Sequence, residues 1–272
     1  MIKPLNSYSN LISTLINIIM IPKYYLSIGL SIFLHNLDLL PYLFTFNFDK
    51  IICAYWKKKL NKARDTFSKS KNTGDIIQLL KNINLKIIQD SNSGIEAYYV
   101  ALYFLVRLKK PTVVIETGVE RGASSLFILQ ALEDNDNGML YSIDLPNTSY
   151  MSPDGNKLQG NTKNETSGIC VPDSLHTRWS LTLGNSKIEL PRLLEKLTEV
   201  DIFVRDDEHT FDFMIWEFEQ VFPYLRNDGV IISDNVDIND AMKVFSEKTK
   251  SKKVFLRRDR RNFSEFGLIF KK

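Results

Sequence analysis

Hydrophobic and polar positions follow two different rhythms from residue 111 to the end of the chain. Short runs rich in Val, Ile and Leu are typical of buried strands, and longer segments with apolar residues three or four positions apart are typical of helices. The strand-like runs are PTVVIET, MLYSIDLP, RWSLTLGNS, VDIFVRD and DGVIISDN, separated by helix-like segments such as ASSLFILQALED and FDFMIWEFEQVFPYL. This order predicts a mostly parallel sheet covered by helices on both faces.

The chain closes with two further strand-like runs, KVFLRRDR and FSEFGLIFKK. A turn at Arg261 and Asn262 separates them, so we expect an antiparallel pair at one edge of the sheet. Among the aromatic residues of the preceding helix-like segment, Trp216, Phe218 and Phe222 have helical spacing, which favours a place in the core over a substrate pocket.

The segment before residue 111 predicts helices rather than strands. DIIQLLKNINLKIIQD and SNSGIEAYYVALYFLVRLKK have helical apolar spacing, whereas DTFSKSKNTGD at 65–75 is polar and turn-rich and predicts a loop or linker. The second helix has an apolar side made of Ile95, Tyr98, Val100, Leu102, Leu105 and Val106. Residues 147–174 predict a long irregular loop, which in a compact domain is usually functional or disordered.

The N-terminal stretch 11–46 is strongly apolar, but Pro22, Lys23, Asp38 and Pro41 interrupt it. No uninterrupted apolar run reaches the roughly 20 residues that span a bilayer, and the features of a signal peptide are missing. Short helices packed on the main domain or on a second subunit are one interpretation, and interfacial membrane association is the other. We therefore expect a helical extension over 1–75, acting as a lid, dimerisation arm or membrane contact, and a catalytic domain over 76–272.

Composition excludes few classes of protein. The chain has 272 residues, a formal net charge of +3, 44% hydrophobic and 25% charged residues, which is ordinary for a globular protein. The basic runs KKKLNKAR and KSKKVFLRRDRR are typical of solvated faces, so no nucleic-acid partner is expected. Cys53 and Cys170 form no C-x-x-C pattern, which argues against a disulfide framework or zinc knuckle and is typical of reduced thiols in the cytoplasm.

The first motif that carries chemistry is IETGVERGASS at 115–125. An acid, Glu116, ends a strand, Gly118 and Gly122 allow a sharp turn, and a helix opens with exposed N–H groups that attract a polar ligand. The spacing matches neither the dinucleotide fingerprint nor the P-loop. Asp144 ends the next strand, where a carboxylate can accept hydrogen bonds from the ribose hydroxyls of a nucleoside.

These motifs, with LYSIDLP, VPDSLHTRW, LGNS and the stretch from DDEHTF to ISDN, resemble the methyltransferase 24 family of class I S-adenosylmethionine-dependent methyltransferases over about residues 92–245. The resemblance implies a Rossmann-like fold with a seven-stranded sheet in the order 3-2-1-4-5-7-6. It also implies S-adenosylmethionine as the cofactor.

The resemblance assigns cofactor contacts residue by residue. Glu116, Gly118, Gly122 and Ser124 line the methionine end, and Asp144 holds the ribose. After the third strand the family commonly has an Asp near the adenine, and this chain has Asn185 instead. An amide can donate or accept there but carries no charge.

The stretch DIFVRDDEHTF at 201–211 places acids and a histidine at the end of a strand. By resemblance to related O-methyltransferases, Asp206, Asp234 and Asn235 are candidate ligands of Mg²⁺ or another divalent cation, which oxygen ligands suit. A bound cation would lower the pKa of a substrate hydroxyl. The preceding Arg205 weakens this metal interpretation if it pairs with one of the acids.

His209 and Asp206 are the candidate catalytic residues. A histidine with a near-neutral pKa suits a general base, but His209 can also be a helix cap beside Asp207 or Glu208. His176 and Arg178 either reach the substrate or lie on the surface.

The sequence therefore predicts an S-adenosylmethionine-dependent O-methyltransferase of a small-molecule or sugar-like hydroxyl, for instance in natural product biosynthesis. Alternatives are a metal-independent N- or carboxyl-methyltransferase and a non-catalytic, membrane-associated scaffold. The predicted partners are a small-molecule methyl acceptor, a second copy of the chain and a membrane surface contacted through residues 1–60. The predicted location is cytoplasmic, with or without peripheral membrane association.

Overall fold

The computed structural model describes residues 48–70, 75–89, 96–146, 150–151, 157–158, 167–258 and 264–272. The apolar stretch 11–46, the predicted turn at Arg261 and Asn262 and most of the long loop after the second strand lie outside these residues. Across the part of the chain that is described, no helix combines the length and apolar character needed to cross a membrane.

Seven strands form one sheet in the order β3-β2-β1-β4-β5-β7-β6, as predicted. Neighbours from β3 to β5 run parallel, and β7 pairs antiparallel with both β5 and β6. The strands are β1 Val113–Thr117, β2 Met139–Asp144, β3 Trp179–Leu183, β4 Val200–Arg205, β5 Leu225–Ser233, β6 Lys252–Arg257 and β7 Glu265–Phe270. Two two-residue strands, Tyr150–Met151 and Lys157–Leu158, form a separate antiparallel pair.

Seven α-helices are described. They are α1 Phe48–Ser68, α2 Ile76–Gln89, α3 Ala97–Lys109, α4 Ala123–Asn135, α5 Ser186–Leu197, α6 Phe211–Val221 and α7 Ala241–Lys248, and a 3₁₀ helix spans Asp173–Arg178. The predicted helices from α2 onward are confirmed within a few residues at each end. Helix α3 is buried on all sides from Ala97 to Val106 rather than along one apolar side.

The central strands β1, β4 and β5 contribute residues such as Ile115, Phe203 and Ile231 to a core cluster with Leu190 of α5 and Phe218 of α6. Because all these side chains are removed from water, their burial is the main stabilising term. Trp216 and Phe222 pack against the same cluster while remaining partly exposed, so the prediction that these aromatic residues belong to the core is confirmed.

Helix α1 extends into the segment 65–75 that the sequence predicts as a loop. Residues 65–68 form its last turn, because Phe67 packs edge to face on Tyr103 and Phe104 of α3. Arg64 also donates two hydrogen bonds, of 2.9 and 2.8 Å, to Asp134 of α4. Tertiary contacts thus override the polar local sequence. Residues 59–272 form one compact unit, and the boundary between residues 75 and 76 stays a prediction.

Neither Cys53 nor Cys170 is a free thiol. The interpretation of these two residues as reduced cysteines is therefore wrong, because wide separation and missing C-x-x-C spacing do not report the environment of each sulfur in the folded chain.

Candidate active site

The turns after β1, β2, β4 and β5 meet at the carboxyl edge of the sheet. The amide of Gly118 donates to the carbonyl of Ile143 at 3.0 Å, that of Asp206 to Thr117 at 2.8 Å and that of Asp234 to Arg205 at 3.1 Å. In parallel sheets this edge is where ligands bind. The fold therefore brings the predicted cofactor and acceptor residues to the same edge.

The turn between β1 and α4 depends on its two glycines. Gly118 and Gly122 both have φ +83°, a conformation that side chains disfavour. A Cβ at Gly118 would collide with the backbone of Asp206, and one at Gly122 would lie 2.8 Å from the Cα of Gly168. These close approaches hold the turn against the end of β4 and against the segment that follows the long loop.

Glu116 is fully buried beneath this turn. Its Oε2 accepts hydrogen bonds from Ser125 at 2.6 Å and Ser142 at 2.7 Å, whereas its Oε1 has no partner among the described residues. Burial raises the pKa of Glu116, and the serine hydroxyls oppose that rise. The neighbouring Ser124, in the first turn of α4, is also buried.

Asp144 and Asn185 occupy the adjacent turns. Asp144 Oδ1 accepts from the amide of Val119 at 3.3 Å, and burial raises its pKa. Asn185 is the N-cap of α5, and its side-chain oxygen accepts from the amide of Lys187 at 2.9 Å. The oxygen of Asn185 is therefore engaged in capping α5, and the predicted contact of this residue with an adenine ring stays a prediction.

His209 follows β4 and lies beside Asp206 and Asn235. Its Nε2 is 3.7 Å from Asp206 Oδ1 and 3.4 Å from Asn235 Nδ2. Burial, with the positive charges of Arg205 and Arg258, lowers the pKa of His209 to about 4, so the imidazole is neutral and can accept a proton. The N-cap of α6 is Thr210 and not His209, so the capping alternative is wrong.

Asp206 is the acid closest to His209. Burial raises the pKa of Asp206 to about 7, although Arg258 and Arg205 oppose that rise. Asp206 and His209 therefore lie side by side, with their nearest polar atoms 3.7 Å apart.

Arg205 is fully buried, and its described ion pairs are with acids other than Asp206. Its Nε donates to Glu217 Oε2 at 2.9 Å, and its Nη2 lies 3.3 Å from Asp207 Oδ1. The expectation that Arg205 pairs with an acid of the 201–211 stretch is confirmed for Asp207. No ion pair between Arg205 and Asp206 is found among the described residues.

A second arginine, Arg258, was missed because it belongs to the basic run 250–261 that the sequence predicts to be a solvated face. Its side chain is only 19% exposed. It donates to Asp234 Oδ2, to Glu96 Oε2 at 2.5 Å and to the hydroxyl of Tyr99 at 3.2 Å. The local sequence after β6 does not predict these contacts, because they depend on the pairing of β6 with β7.

The candidate metal ligands have other partners in this arrangement. Asp234 Oδ2 accepts from Arg258, and Asn235 Oδ1 accepts from the hydroxyl of Ser264 at 2.7 Å. Over the described ranges, no three His, Cys, Asp or Glu side chains group as a metal site. With a guanidinium already at Asp234, the residues as placed do not fit a divalent cation.

The cofactor-side residues, by contrast, fit S-adenosylmethionine. The buried and unpaired Glu116 Oε1, the N-terminus of α4 after Gly122 and the Asp144 carboxylate supply acceptors and N–H donors along one line of turns. The sheet also positions His176 and Arg178 away from this line. Arg178 bonds Glu133 and Asp136 near the other end of α4, and His176 is exposed.

Comparisons agree with this arrangement. Residues 115–236 match the methyltransferase 24 family, described as a methyltransferase domain. Among curated proteins, none matches this sequence.

Similar solved structures include a putative O-methyltransferase from Klebsiella pneumoniae, at 14% identity and TM-score 0.49, with 72% of this chain and 90% of that chain covered. The O-methyltransferase from Bacillus cereus in complex with SAH has 14% identity and TM-score 0.48, with 81% and 100% covered. TomG from Streptomyces achromogenes, an O-methyltransferase involved in tomaymycin synthesis and solved with SAM, has 14% identity and TM-score 0.46, with 73% and 90% covered.

These likenesses carry no argument about the activity of this chain. The strand order, the turns after β1 and β2 and the match over residues 115–236 confirm its resemblance to class I S-adenosylmethionine-dependent methyltransferases, and to the methyltransferase 24 family in particular.

Proposed function

We propose that the protein is an S-adenosylmethionine-dependent O-methyltransferase that acts on a small-molecule or sugar-like hydroxyl. The observation that supports this most is the geometry at His209, whose Nε2 lies 3.7 Å from Asp206 Oδ1 at the carboxyl edge of the sheet where the turns after β1 and β2 also end. An unprotonated imidazole near a methyl donor can take the proton of an attacking hydroxyl. Other acceptor types, such as amines or carboxylates, are separated from hydroxyls by analysis of the methylated product.

The chain's own residues divide the chemistry between them. Glu116, Ser124 and Asp144 bind and orient the cofactor, whose contribution when bound is an electrophilic sulfonium methyl group. His209 Nε2 would accept the hydroxyl proton of the acceptor, and the bound cofactor would supply the methyl group that takes the place of that proton. Asp206, in its ionised form, would stabilise the imidazolium that results, since a carboxylate next to a histidine favours its charged form. Orientation of the reacting groups supplies a large part of the rate enhancement.

Calorimetry with S-adenosylmethionine and S-adenosylhomocysteine tests the cofactor half of this proposal. We expect both to bind the wild-type protein, and Asp144→Ala to weaken binding at least about tenfold because the ribose loses a charged hydrogen-bond acceptor. Asp173→Asn, at an exposed position in the 3₁₀ helix, is the matched control and should bind as the wild type does. Absence of binding to either compound, or unchanged binding in Asp144→Ala, would contradict the proposal.

The predicted membrane contact through residues 1–60 and the predicted self-association remain proposals. Vesicle sedimentation of the full chain, with and without these residues, tests the first, and sedimentation velocity tests the second.

A further inference from the structure

Arg258 is fixed by its backbone as well as by its side chain. Its amide donates to the carbonyl of Ser264 at 2.9 Å, and its carbonyl accepts from the amide of Ala97 at 2.7 Å. The first bond closes the β6–β7 pair, and the second ties Arg258 to the start of α3. The backbone from which the Arg258 side chain extends is therefore held by one hydrogen bond on each side.

The guanidinium of Arg258 is surrounded by groups that match its charge and shape. Glu96 and Asp234 accept its N–H groups from two elements, while the rings of Tyr98 and Tyr99 lie 5.5 and 5.6 Å from its central carbon. Carboxylates and aromatic rings are the favoured neighbours of a buried guanidinium. Since arginine stays protonated in proteins, a positive charge is permanently present here.

This charge lies against one of the carboxylates that the sequence predicts as metal ligands, because the guanidinium bonds Asp234 directly. A divalent cation at Asp234 would have to displace the guanidinium from Oδ2 or accept its repulsion. One permanent cation in this place makes a second one unfavourable.

We propose that Arg258 takes the place of the divalent cation in this site, so that the protein does not bind such a cation between Asp206 and Asp234. As a positioning residue, Arg258 neutralises Asp234 and holds the β5 turn, including Asn235 next to His209. Its consequence for catalysis, methyl transfer that needs no metal, rests on the proposed function. The inference that no divalent cation binds is independent of the proposed function.

The direct test is a Mn²⁺ titration followed by electron paramagnetic resonance, which distinguishes bound from free Mn²⁺. The full-length protein is compared as the wild type, as Arg258→Gln and as Arg258→Lys. Because Arg258→Gln removes the positive charge from the Asp234 carboxylate, we expect it to bind Mn²⁺ at least about tenfold more tightly than the wild type. Arg258→Lys keeps the charge and should resemble the wild type.

The gained site must depend on the predicted ligands. Adding Asp234→Asn to Arg258→Gln should remove the extra Mn²⁺ binding, a result that a loss of packing would not produce. Wild-type protein that binds one Mn²⁺ and loses it in Asp234→Asn would overturn the proposal. A folded Arg258→Gln protein that binds Mn²⁺ no better than the wild type would also overturn it.

Calorimetry with S-adenosylhomocysteine in the presence of a chelator separates this inference from the proposed function. Cofactor binding with no Mn²⁺ binding supports both, whereas no cofactor binding contradicts the proposed function and leaves the Mn²⁺ result to decide on Arg258. Once an acceptor is known, turnover should be unchanged by the chelator, and loss of turnover that Mg²⁺ restores would overturn the inference.

Discussion

Arg205 and Arg258 neutralise the acids around the ends of β4 and β5 in two separate clusters. Arg205 serves the buried acids Glu217 and Asp207, and Arg258 serves Glu96 and Asp234. The separation matters because removing one partner of a buried pair leaves an uncompensated charge. The contacts of each arginine therefore decide which carboxylates are neutralised.

Arg205→Met should destabilise the protein by about 3–5 kcal/mol, because it leaves Glu217 buried without a counter-charge. The double variant Arg205→Met/Glu217→Met should recover most of that loss, since both charges are then absent. Urea unfolding of both proteins gives the free energies. Equal or greater destabilisation in the double variant would show that the Arg205–Glu217 pair itself makes a large net contribution to the free energy of unfolding.

His209→Gln should lower kcat by about 10²- to 10⁴-fold, because a glutamine cannot accept the acceptor's proton. Cofactor affinity should stay close to that of the wild type, since no described contact joins His209 to the β1 or β2 turns. Steady-state kinetics and calorimetry measure the two effects. A parallel loss of kcat and cofactor affinity would instead indicate a structural role for His209.

At the scale of elements, the turn after β1 and the starts of the central strands position the site. Gly118 lets β1 end directly against the turn after β4, and Gly184 ends β3 without comparable crowding from backbone atoms. At the opposite edge, Asp201 Oδ2 accepts from both the amide and the hydroxyl of Thr112 and from the amide of Val113. These contacts fix β1 relative to β4 at both ends.

Gly118→Ala should destabilise the protein by about 1–3 kcal/mol, because alanine disfavours φ +83° and its Cβ would collide with the backbone of Asp206. The control, Gly184→Ala, meets only the flexible side chain of Glu189 at 2.8 Å and should cost less. Thermal unfolding of both variants is the measurement. Equal losses would mean that the turn after β1 tolerates a side chain.

Asp201→Ala should destabilise the protein by about 2 kcal/mol at pH 7, because three hydrogen bonds to one carboxylate oxygen are lost. Burial alone would raise the pKa of Asp201, but the hydrogen bonds from Val113 and Thr112 outweigh it, so the pKa is lowered. A lowered pKa adds stability above the unfolded-state value of about 4, and that stability is lost as the pH falls further. The difference between the two proteins should therefore shrink below about pH 4.

Glu199→Gln is the matched control for Asp201→Ala. Glu199 also pairs with Arg226, at 2.7 Å, but on an exposed surface, so its loss should cost less than about 1 kcal/mol at any pH. Unfolding in urea at pH 3 and pH 7 gives the comparison. A pH-independent effect of Asp201→Ala would contradict the role of its charge.

For the whole molecule, residues 59–272 form one compact unit that includes the last part of α1. The last part of α1 contributes Leu60 and Ala63 to the buried residues, and Phe67 and Arg64 contact α3 and α4. These contacts bear on the predicted domain boundary between residues 75 and 76, which a comparison of two shorter proteins tests.

A protein that spans 59–272 should be more stable than one that spans 76–272. We expect the shorter protein to unfold at least about 5 °C lower, because it loses the packing of Phe67 and the ion pair of Arg64. Calorimetric melting of both proteins measures this difference. Equal melting temperatures would place the domain boundary at residue 76 as first predicted.

The sequence by itself determined the order of strands and helices and the turns after β1 and β2. Runs such as VVIET and IIS are buried on both faces, so their apolar pattern reports the sheet directly. The positions of Gly118, Gly122 and Asp144 are predictable because each lies in a turn that the local sequence defines. The strand order followed from the resemblance that these motifs carry.

Only the tertiary structure decided the partners of the charged residues. Arg258 and Asp234 are 24 positions apart, and Arg258 and Glu96 are 162 apart, so no local pattern relates them. The basic run predicts a solvated face. In the folded chain, the pairing of β6 with β7 brings one of its side chains into the interior. The acids of DIFVRDDEHTF and Asp234 are visible in the sequence, but the arginine that bonds Asp234 is brought there by long-range strand pairing, which no local pattern predicts.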